Sequence, residues 1–255
     1  MTISNETRFA GKAADYTKFR PSYPKELLDY LYTSVGLQKS SQIADIGAGT
    51  GIFSQLLLER DSAVIGVEPN DEMRKIAEQQ LSQYQNFKLI KATAEKTDLA
   101  NQSIDFVTVA QAFHWFDRKC FKQECQRILK PNGQVIIVWN TRDYESNVMQ
   151  AEHKLREKYA PDKKGANDSS RFAKAWWDFF SEGLCEYKTC RNDLALGRAA
   201  YLGLNLSRSW SPRKTVDPTR YEEFVEETNQ LFDKYSSAGQ LLFPNFVQCY
   251  SGKVK

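Results

Sequence analysis

A glycine-rich segment is the first feature of the sequence that could do chemistry. Residues 45–51 read DIGAGTG, after a short apolar run and before an amphipathic one. Glycines let a backbone turn sharply and approach a ligand closely, and the free N–H groups at a helix start favour an electron-rich group. A glycine pattern between a strand and a helix therefore predicts a cofactor-binding loop.

The spacing of the glycines separates two classes of cofactor. A dinucleotide site requires G-x-G-x-x-G, with the pyrophosphate at the helix start, whereas Gly47, Gly49 and Gly51 are spaced G-x-G-x-G. Asp45, just before these glycines, would repel a pyrophosphate but could pair with the ammonium group of an amino acid. The loop therefore favours S-adenosylmethionine (SAM), which carries an amino acid, over NAD.

A second acid, Glu68, ends the next predicted strand. A carboxylate at this point can accept hydrogen bonds from both ribose hydroxyls of a cofactor. SAM and NAD both carry that ribose, so Glu68 alone does not discriminate between them. The alternative is that Glu68 is an exposed residue near the start of a helix.

His114 is the titratable residue placed after the fourth predicted strand, at the edge where open α/β sheets bind ligands. A histidine there could accept a proton as a catalytic base or hold an oxygen of the substrate. It could equally make a structural hydrogen bond. The neighbouring Trp115 either packs or forms a wall for the cofactor or substrate.

Alternating strands and helices must position these residues. The apolar and amphipathic runs predict strands over 42–47, 63–68, 87–94, 103–113 and 134–140, and helices over 51–61, 70–84 and 116–130. This alternation predicts βαβ units, a parallel sheet and right-handed crossovers. Outside this unit the sequence predicts helices over 6–20, 24–35 and 218–235, late strands over 184–190 and 244–252, and a mobile loop over 161–170.

Composition and charge argue against several classes of protein. The net charge is +3, from 35 basic and 32 acidic residues, without the basic stripe of a nucleic-acid binder. The five cysteines form no C-x-x-C pair and only two histidines occur, so we expect no metal and reduced thiols in a cytoplasmic protein. We expect no signal peptide, because the first residues are polar, and no membrane span, because the sequence has no apolar run of sufficient length.

These motifs together resemble the class I SAM-dependent methyltransferases, over roughly residues 40–140. Ala94-Glu95 is similar to the family's adenine-contact segment, QAFHW at 111–115 to its segment after strand four, and ILKPNG at 128–133 to its hairpin before strand five. Within the family, HWFD, the opening FAGKAADYTKFRPSYP and the late YLGLNLSRSW are similar to the trans-aconitate methyltransferase-like branch of the methyltransferase type 11 domains.

The resemblance implies a Rossmann-like, doubly wound α/β fold, with a mostly parallel seven-stranded sheet whose last strand is antiparallel. It implies a helical N-terminal lid over 1–36, a SAM-binding core over 37–142, and a region over 143–255 that supplies a cap and the last two strands. The implied SAM-binding residues are Asp45, Gly47, Ala48, Gly49, Gly51, Glu68, Pro69, Met73, Ala94, Glu95, Gln111, Ala112, Tyr16 and Arg20. Tyr16 and Arg20 would face the site from the lid, or else Tyr16 packs on the sheet and Arg20 is solvated.

The expected reaction is methyl transfer from SAM to a small molecule, with a carboxylate as one candidate acceptor. Arginine matches carboxylates well, so Arg20, Arg142 and Arg208 could bind an anionic acceptor beside Trp115, although each could instead pair with a nearby acid. The alternatives are an RNA or protein methyltransferase and a SAM-binding protein without catalysis. We expect a monomer or homodimer, with no nucleic acid and no membrane as partners.

Overall fold

The computed structural model describes residues 22–161, 176–181, 184–208 and 210–254. Tyr16 and Arg20, the helix predicted over 6–20 and nearly all of the loop predicted over 161–170 lie outside these residues. Within the described residues, no helix combines the length and apolar character needed to cross a membrane. The same residues contain no group of three or more His, Cys, Asp or Glu side chains that could hold a metal ion.

A seven-stranded sheet forms the centre of the fold, in the order β3-β2-β1-β4-β5-β9-β6. Its strands are β1 (Gln42–Ile46), β2 (Ala63–Val67), β3 (Phe87–Ile90), β4 (Ile104–Ala110), β5 (Leu129–Arg142), β6 (Glu186–Arg191) and β9 (Asn245–Gly252). Strands β1 to β5 pair in parallel, and β9 runs antiparallel to both β5 and β6. The predicted mostly parallel sheet with an antiparallel last strand is therefore confirmed.

Helices cover both faces of this sheet. They are α1 (Lys25–Tyr30), which continues as a π-helical turn over Leu31–Val35, α2 (Ile52–Leu58), α3 (Asp71–Leu81) and α4 (Arg118–Ile128). Side chains from β1 divide between two apolar layers, with Ile43 packed towards α1 and α2 and Ala44 packed towards α4. The side chains of Asn70 and Asp117 cap α3 and α4 by accepting backbone N–H groups of the first turn.

A second group of elements forms a cap beside the sheet. It contains α5 (Asn147–Tyr159), α6 (Arg198–Leu206) and α7 (Pro218–Tyr235), with a two-stranded sheet of β7 (Leu194–Gly197) and β8 (Gln240–Phe243). These elements share an apolar core that includes Met149, Tyr201, Phe232 and Phe243. The helix predicted over 218–235 is confirmed.

Several sequence predictions of element ends were wrong, among them that of β3, which ends at Ile90 rather than at residue 94. Strand β4 ends at Ala110 rather than at residue 113, because Gln111 adopts a left-handed backbone with φ of 59° and the next residues form a 3₁₀ turn over Phe113–Trp115. Helix α4 ends at Ile128 rather than at residue 130, and β5 begins at once with Leu129 rather than at residue 134, so residues 131–133 lie within the strand. The pairing of β4 with β5 shifts register at this point.

Candidate active site

The glycine loop lies between β1 and α2, at the edge of the sheet where the parallel strands end. Gly47, Gly49 and Gly51 all have positive φ, between 59° and 86°. A Cβ atom on Gly47 would lie 2.6 Å from Cβ of Ala112, and one on Gly51 would lie 2.7 Å from Cδ1 of Leu81. A Cβ atom on Gly49 would meet nothing within 4 Å. Packing therefore requires two of the glycines, whereas Gly49 leaves space open.

Asp45 lies at the base of the loop and is almost fully buried. Its carboxylate accepts hydrogen bonds from Ser54 Oγ at 2.6 Å and from Thr108 Oγ1 at 2.9 Å. Burial raises the pKa of Asp45 to about 6, although the two hydroxyls oppose this shift. The carboxylate thus joins β1 to α2 and β4, and it also lines the cleft described below.

Glu68 directly follows β2 and is 8% exposed. One oxygen accepts the backbone N–H of Gly49 at 2.9 Å, and the other accepts the backbone N–H of Asn70 at 2.9 Å. Burial raises the pKa of Glu68, while these backbone hydrogen bonds act in the opposite direction. The structure thus brings Glu68 against the glycine loop rather than leaving it exposed at a helix start.

The remaining predicted cofactor residues lie after β2, β3 and β4 in the chain. Pro69 precedes α3, and the buried Met73 donates its backbone N–H to Asn70 Oδ1 at 3.0 Å. Ala94 and Ala112 are buried, and Glu95 accepts the backbone N–H of Asp117 at 2.9 Å. Neither these residues nor Glu68 is among the residues that line the cleft, although Ala112 packs against Gly47.

Gln111 occupies a strained backbone conformation at the end of β4. A left-handed φ is uncommon for a residue other than glycine, and such strain is concentrated at functional sites. Its backbone N–H donates to Val138 O at 3.0 Å, and its side-chain amide donates to Asn140 O at 3.4 Å. These two bonds hold Gln111 against β5, where it lines the cleft.

His114 lies in the 3₁₀ turn after β4, and it is exposed. Its ring lies against Trp115, with the ring centroids 4.2 Å apart, and meets Trp139 edge-on at 4.9 Å. Neither His114 nor Trp115 is among the residues that line the cleft. Its role as a base stays a prediction, as does the role of Trp115 as a wall.

A cleft of about 800 Å³, including its open mouth, lies over the glycine loop. The sheet side of its lining includes Asp45, Gly47, Ala48, Gly49, Thr50, Gln111 and Asn140. The cap supplies apolar side chains, namely Leu194, Leu204 and Phe243. Polar groups of the loop and strand ends therefore meet apolar side chains of the cap in one cleft, as in many sites for small molecules.

Two of the three arginines predicted to bind the acceptor lie among the described residues, and they differ in position. Arg142, at the end of β5, lines the cleft and has a side chain that is 25% exposed. Arg208 is 3% exposed in the cap and pairs with the buried Glu152 at 2.8 Å. The structure therefore brings Arg142 to the cleft and places Arg208 behind it.

Several cleft residues were not predicted from the sequence. Tyr23, Asn140 and Asn245 line the cleft together with the apolar residues of the cap. Asn140 Oδ1 accepts the side-chain amides of Asn192 at 3.1 Å and Asn245 at 3.3 Å. Asn140 ends the apolar run of β5, and a polar residue at a strand end is a signal that could have identified it.

The fold and the glycine loop define a class of protein. A parallel sheet with one inserted antiparallel strand, and a glycine loop at the end of β1, is the architecture of Rossmann-like enzymes that bind nucleoside cofactors at this edge. Residues 44–137 match the family model described as a methyltransferase domain. An uncharacterized methyltransferase of Mycobacterium tuberculosis is 38% identical over 135 residues, which cover 53% of each chain.

Solved structures share the fold. A structure from Anaeromyxobacter dehalogenans described as a type II methyltransferase aligns with a TM-score of 0.68 and 20% identity, over 92% of this chain and 98% of that one. A phosphoethanolamine N-methyltransferase of Haemonchus contortus, in complex with phosphomonomethylethanolamine and S-adenosylhomocysteine, aligns with a TM-score of 0.59 and 15% identity, over 100% of this chain and 61% of that one. At these identities the likeness concerns the fold alone.

Over residues 44–137 the chain is thus similar to a methyltransferase domain, and its fold is shared by solved methyltransferase structures. It spans about half the length of the curated relatives it matches. The trans-aconitate methyltransferase-like branch is not distinguished by these matches and stays a prediction.

Proposed function

We propose that the protein is an enzyme that transfers a methyl group from SAM to a small molecule. The main observation behind this proposal is the hydrogen bond that joins the glycine loop to Glu68. The backbone N–H of Gly49 donates to the Glu68 carboxylate at 2.9 Å. A carboxylate therefore lies beside a stretch of backbone that a ligand can approach closely, at the edge of the sheet. The combination suits a ribose and its attached amino-acid chain.

Two further observations support the fit of SAM. The space beside Gly49 is open, and a Cβ atom there would meet no neighbour. The buried hydroxyl of Thr50 lines the cleft and has no hydrogen-bond partner among the described residues. A buried polar atom of this kind is costly unless a ligand or water satisfies it. Gly47, Ala48, Gly49, Thr50 and Glu68 are the residues that would hold the cofactor.

SAM, when bound, supplies an electrophilic methyl group on a sulfonium. The chain's own residues have to hold the acceptor atom in line with that methyl group and keep water out. The loop and Gln111 form one side of the space, and the apolar Leu194, Leu204 and Phe243 form the other. Positioning of this kind requires no nucleophilic residue.

Arg142, where the cleft meets the cap, favours an acidic acceptor among small molecules. Arg142 brings a permanent positive charge to the lining. A carboxylate is already deprotonated near neutral pH, so it needs no general base. A carboxylic acid is therefore the first acceptor class to test, and His114 is not required as a base for it.

A methyl-transfer screen tests the proposal. The purified protein is incubated with SAM and with small carboxylic acids, phenols or amines, and S-adenosylhomocysteine is quantified by mass spectrometry. We expect turnover with members of the acid set. Binding of S-adenosylhomocysteine without turnover of any acceptor would instead support a SAM-binding protein without catalysis.

A further inference from the structure

We propose that Arg142 binds the carboxylate of an apolar acceptor, and that the buried pair of Glu152 and Arg208 positions Arg142 for this purpose. This inference rests on the proposed function, because it names the class of acceptor and the residues that select it. Arg208 then acts through its neighbours in the cap rather than by touching the acceptor.

Arg142 is placed where the sheet meets the cap. It is the last residue of β5, and its guanidinium carbon lies 5.8 Å from the centre of the Phe243 ring. Both residues line the cleft. Contact with an aromatic ring helps to fix a guanidinium group in place, and a fixed guanidinium pairs well with a planar carboxylate.

Glu152 is the fixed anion behind this arginine. It lies on α5 and is 1% exposed. One oxygen is 2.8 Å from an Arg208 guanidinium nitrogen and 3.7 Å from an Arg142 nitrogen, while the other accepts the side-chain amide of Asn205 at 3.1 Å. Burial opposes the charge of Glu152, but Arg208 and Arg142 hold its pKa below the ordinary value. The cap therefore contains a buried carboxylate that stays ionised.

The two arginines share Glu152 unequally. Arg208 is within hydrogen-bond distance, whereas the 3.7 Å to Arg142 exceeds that distance. Glu152 therefore keeps Arg208 as a close partner while Arg142, held nearby, faces the cleft. A buried charge that lost all its partners would be strongly destabilising. Because Arg208 stays paired with Glu152, the binding of a second anion by Arg142 does not leave the Glu152 charge without a partner.

The surroundings of Arg142 indicate what carries that anion. Leu194, Leu204 and Phe243 line the cap side of the cleft, so a ligand there buries apolar surface. An acceptor with an aliphatic or aromatic body and one carboxylate satisfies both features. The methionine part of SAM also carries a carboxylate, so the test must distinguish the two sources.

Titration calorimetry in saturating S-adenosylhomocysteine makes this distinction. The probes are hexanoate and phenylacetate, with the neutral hexanamide and phenylacetamide as matched ligands. We expect the wild-type protein to bind each acid at least about tenfold more tightly than its amide, in line with a hydrogen-bonded charge pair. Arg142→Gln should abolish this preference and leave the amides and S-adenosylhomocysteine unaffected, and Arg142→Lys should restore part of it.

Glu152→Gln tests the positioning role. The variant should bind the acids more weakly and keep its affinities for the amides and for S-adenosylhomocysteine. If Glu152 had a merely structural role, the variant would bind all of these ligands more weakly. If this variant does not fold, the Arg142 variants still decide the inference, because that side chain is partly exposed. Arg198→Gln is the matched control, since Arg198 is an exposed arginine that pairs with Asp233 in the cap.

Three results would separate the possible failures. Equal binding of acids and amides by a protein that binds S-adenosylhomocysteine would overturn this inference and leave the cofactor proposal intact. Loss of S-adenosylhomocysteine binding in Arg142→Gln, with the acid preference retained, would assign Arg142 to the cofactor and also overturn it. No binding of S-adenosylhomocysteine by the wild-type protein would overturn the proposed function and this inference with it.

Discussion

The carboxylate of Glu68 accepts the backbone N–H of Gly49 at 2.9 Å and thereby joins the end of β2 to the glycine loop. Its second oxygen accepts the N–H of Asn70, which caps α3. One acid thus holds the loop and the start of α3 in place before a ligand binds. Groups that are ordered in advance lower the entropic cost of binding.

Replacement of Glu68 should therefore weaken cofactor binding more than it weakens the fold. We expect Glu68→Gln to raise the Kd for S-adenosylhomocysteine at least about tenfold, because the amide carries no negative charge for the ribose hydroxyls. Calorimetry gives the Kd, and Glu78→Gln, at an exposed position of α3, serves as the control. An unchanged Kd would refute the ribose-binding role of Glu68.

Alanine substitutions at Gly49 and at Gly51 should differ in their effects on stability and on cofactor affinity. Gly49→Ala places a Cβ atom in open space beside the cleft, so we expect a stability loss of about 1 kcal/mol from the left-handed backbone and a large loss of cofactor affinity. Gly51→Ala brings a Cβ atom within 2.7 Å of the buried Leu81, so we expect a stability loss of about 3 kcal/mol. Urea unfolding and calorimetry measure both quantities, and equal stability of the two variants would contradict this division.

Asp45 should make the stability depend on pH in a particular direction. Its pKa rises from 3.8 to about 6 in the folded protein, so folding favours the protonated form. The stabilisation is fully present below about pH 4 and is lost as the pH rises through about 6, by about 3 kcal/mol in total.

Asp45→Asn removes this titration. The free energy of unfolding of the variant, relative to wild type, should therefore increase between pH 4 and pH 7. Urea unfolding at several pH values measures the difference, in which the titration of other groups cancels. A difference that is constant with pH would show that the pKa of Asp45 is not raised by burial.

The core of the fold and helix α7 follow from local sequence patterns, whereas the rest of the cap does not. Apolar runs such as 134–140 and the glycine loop indicate the parallel strands and the sheet edge where ligands bind. Strands β7 and β8 have four residues each, which is too short for a recognisable sequence pattern. They are stabilised by packing on Tyr201 and Phe232, which are distant in the sequence. The left-handed backbone of Gln111 likewise depends on its bonds to β5.

The sequence contains a pattern that predicts the buried carboxylate of the cap. Glu152 and Arg156 occupy the same stripe of α5 as the buried Val148, Leu155 and Tyr159. Charged residues are rarely found on the buried face of a helix unless they are paired. A glutamate at such a position predicts a buried ion pair, but not that its partners come from β5 and from the end of α6.

His114 should prove dispensable as a base. The ring is exposed and packs against Trp115 and Trp139, and an acidic acceptor is already deprotonated. We expect His114→Asn to lower the rate of methyl transfer to a carboxylic acid less than about tenfold, without a change in the shape of the pH–rate profile. If the wild-type pH–rate profile has a limb with an apparent pKa near that of histidine, and His114→Asn loses this limb, His114 is the base.

The central claim is that this cleft binds SAM and not a dinucleotide. The most direct test is the melting temperature of the purified protein with S-adenosylhomocysteine or with NAD, each at the same concentration. A ligand present at a hundredfold excess over its Kd stabilises a protein by about 2.7 kcal/mol, which raises the Tm by several degrees. We predict this rise with S-adenosylhomocysteine and no change with NAD, and a rise with NAD alone would contradict the account.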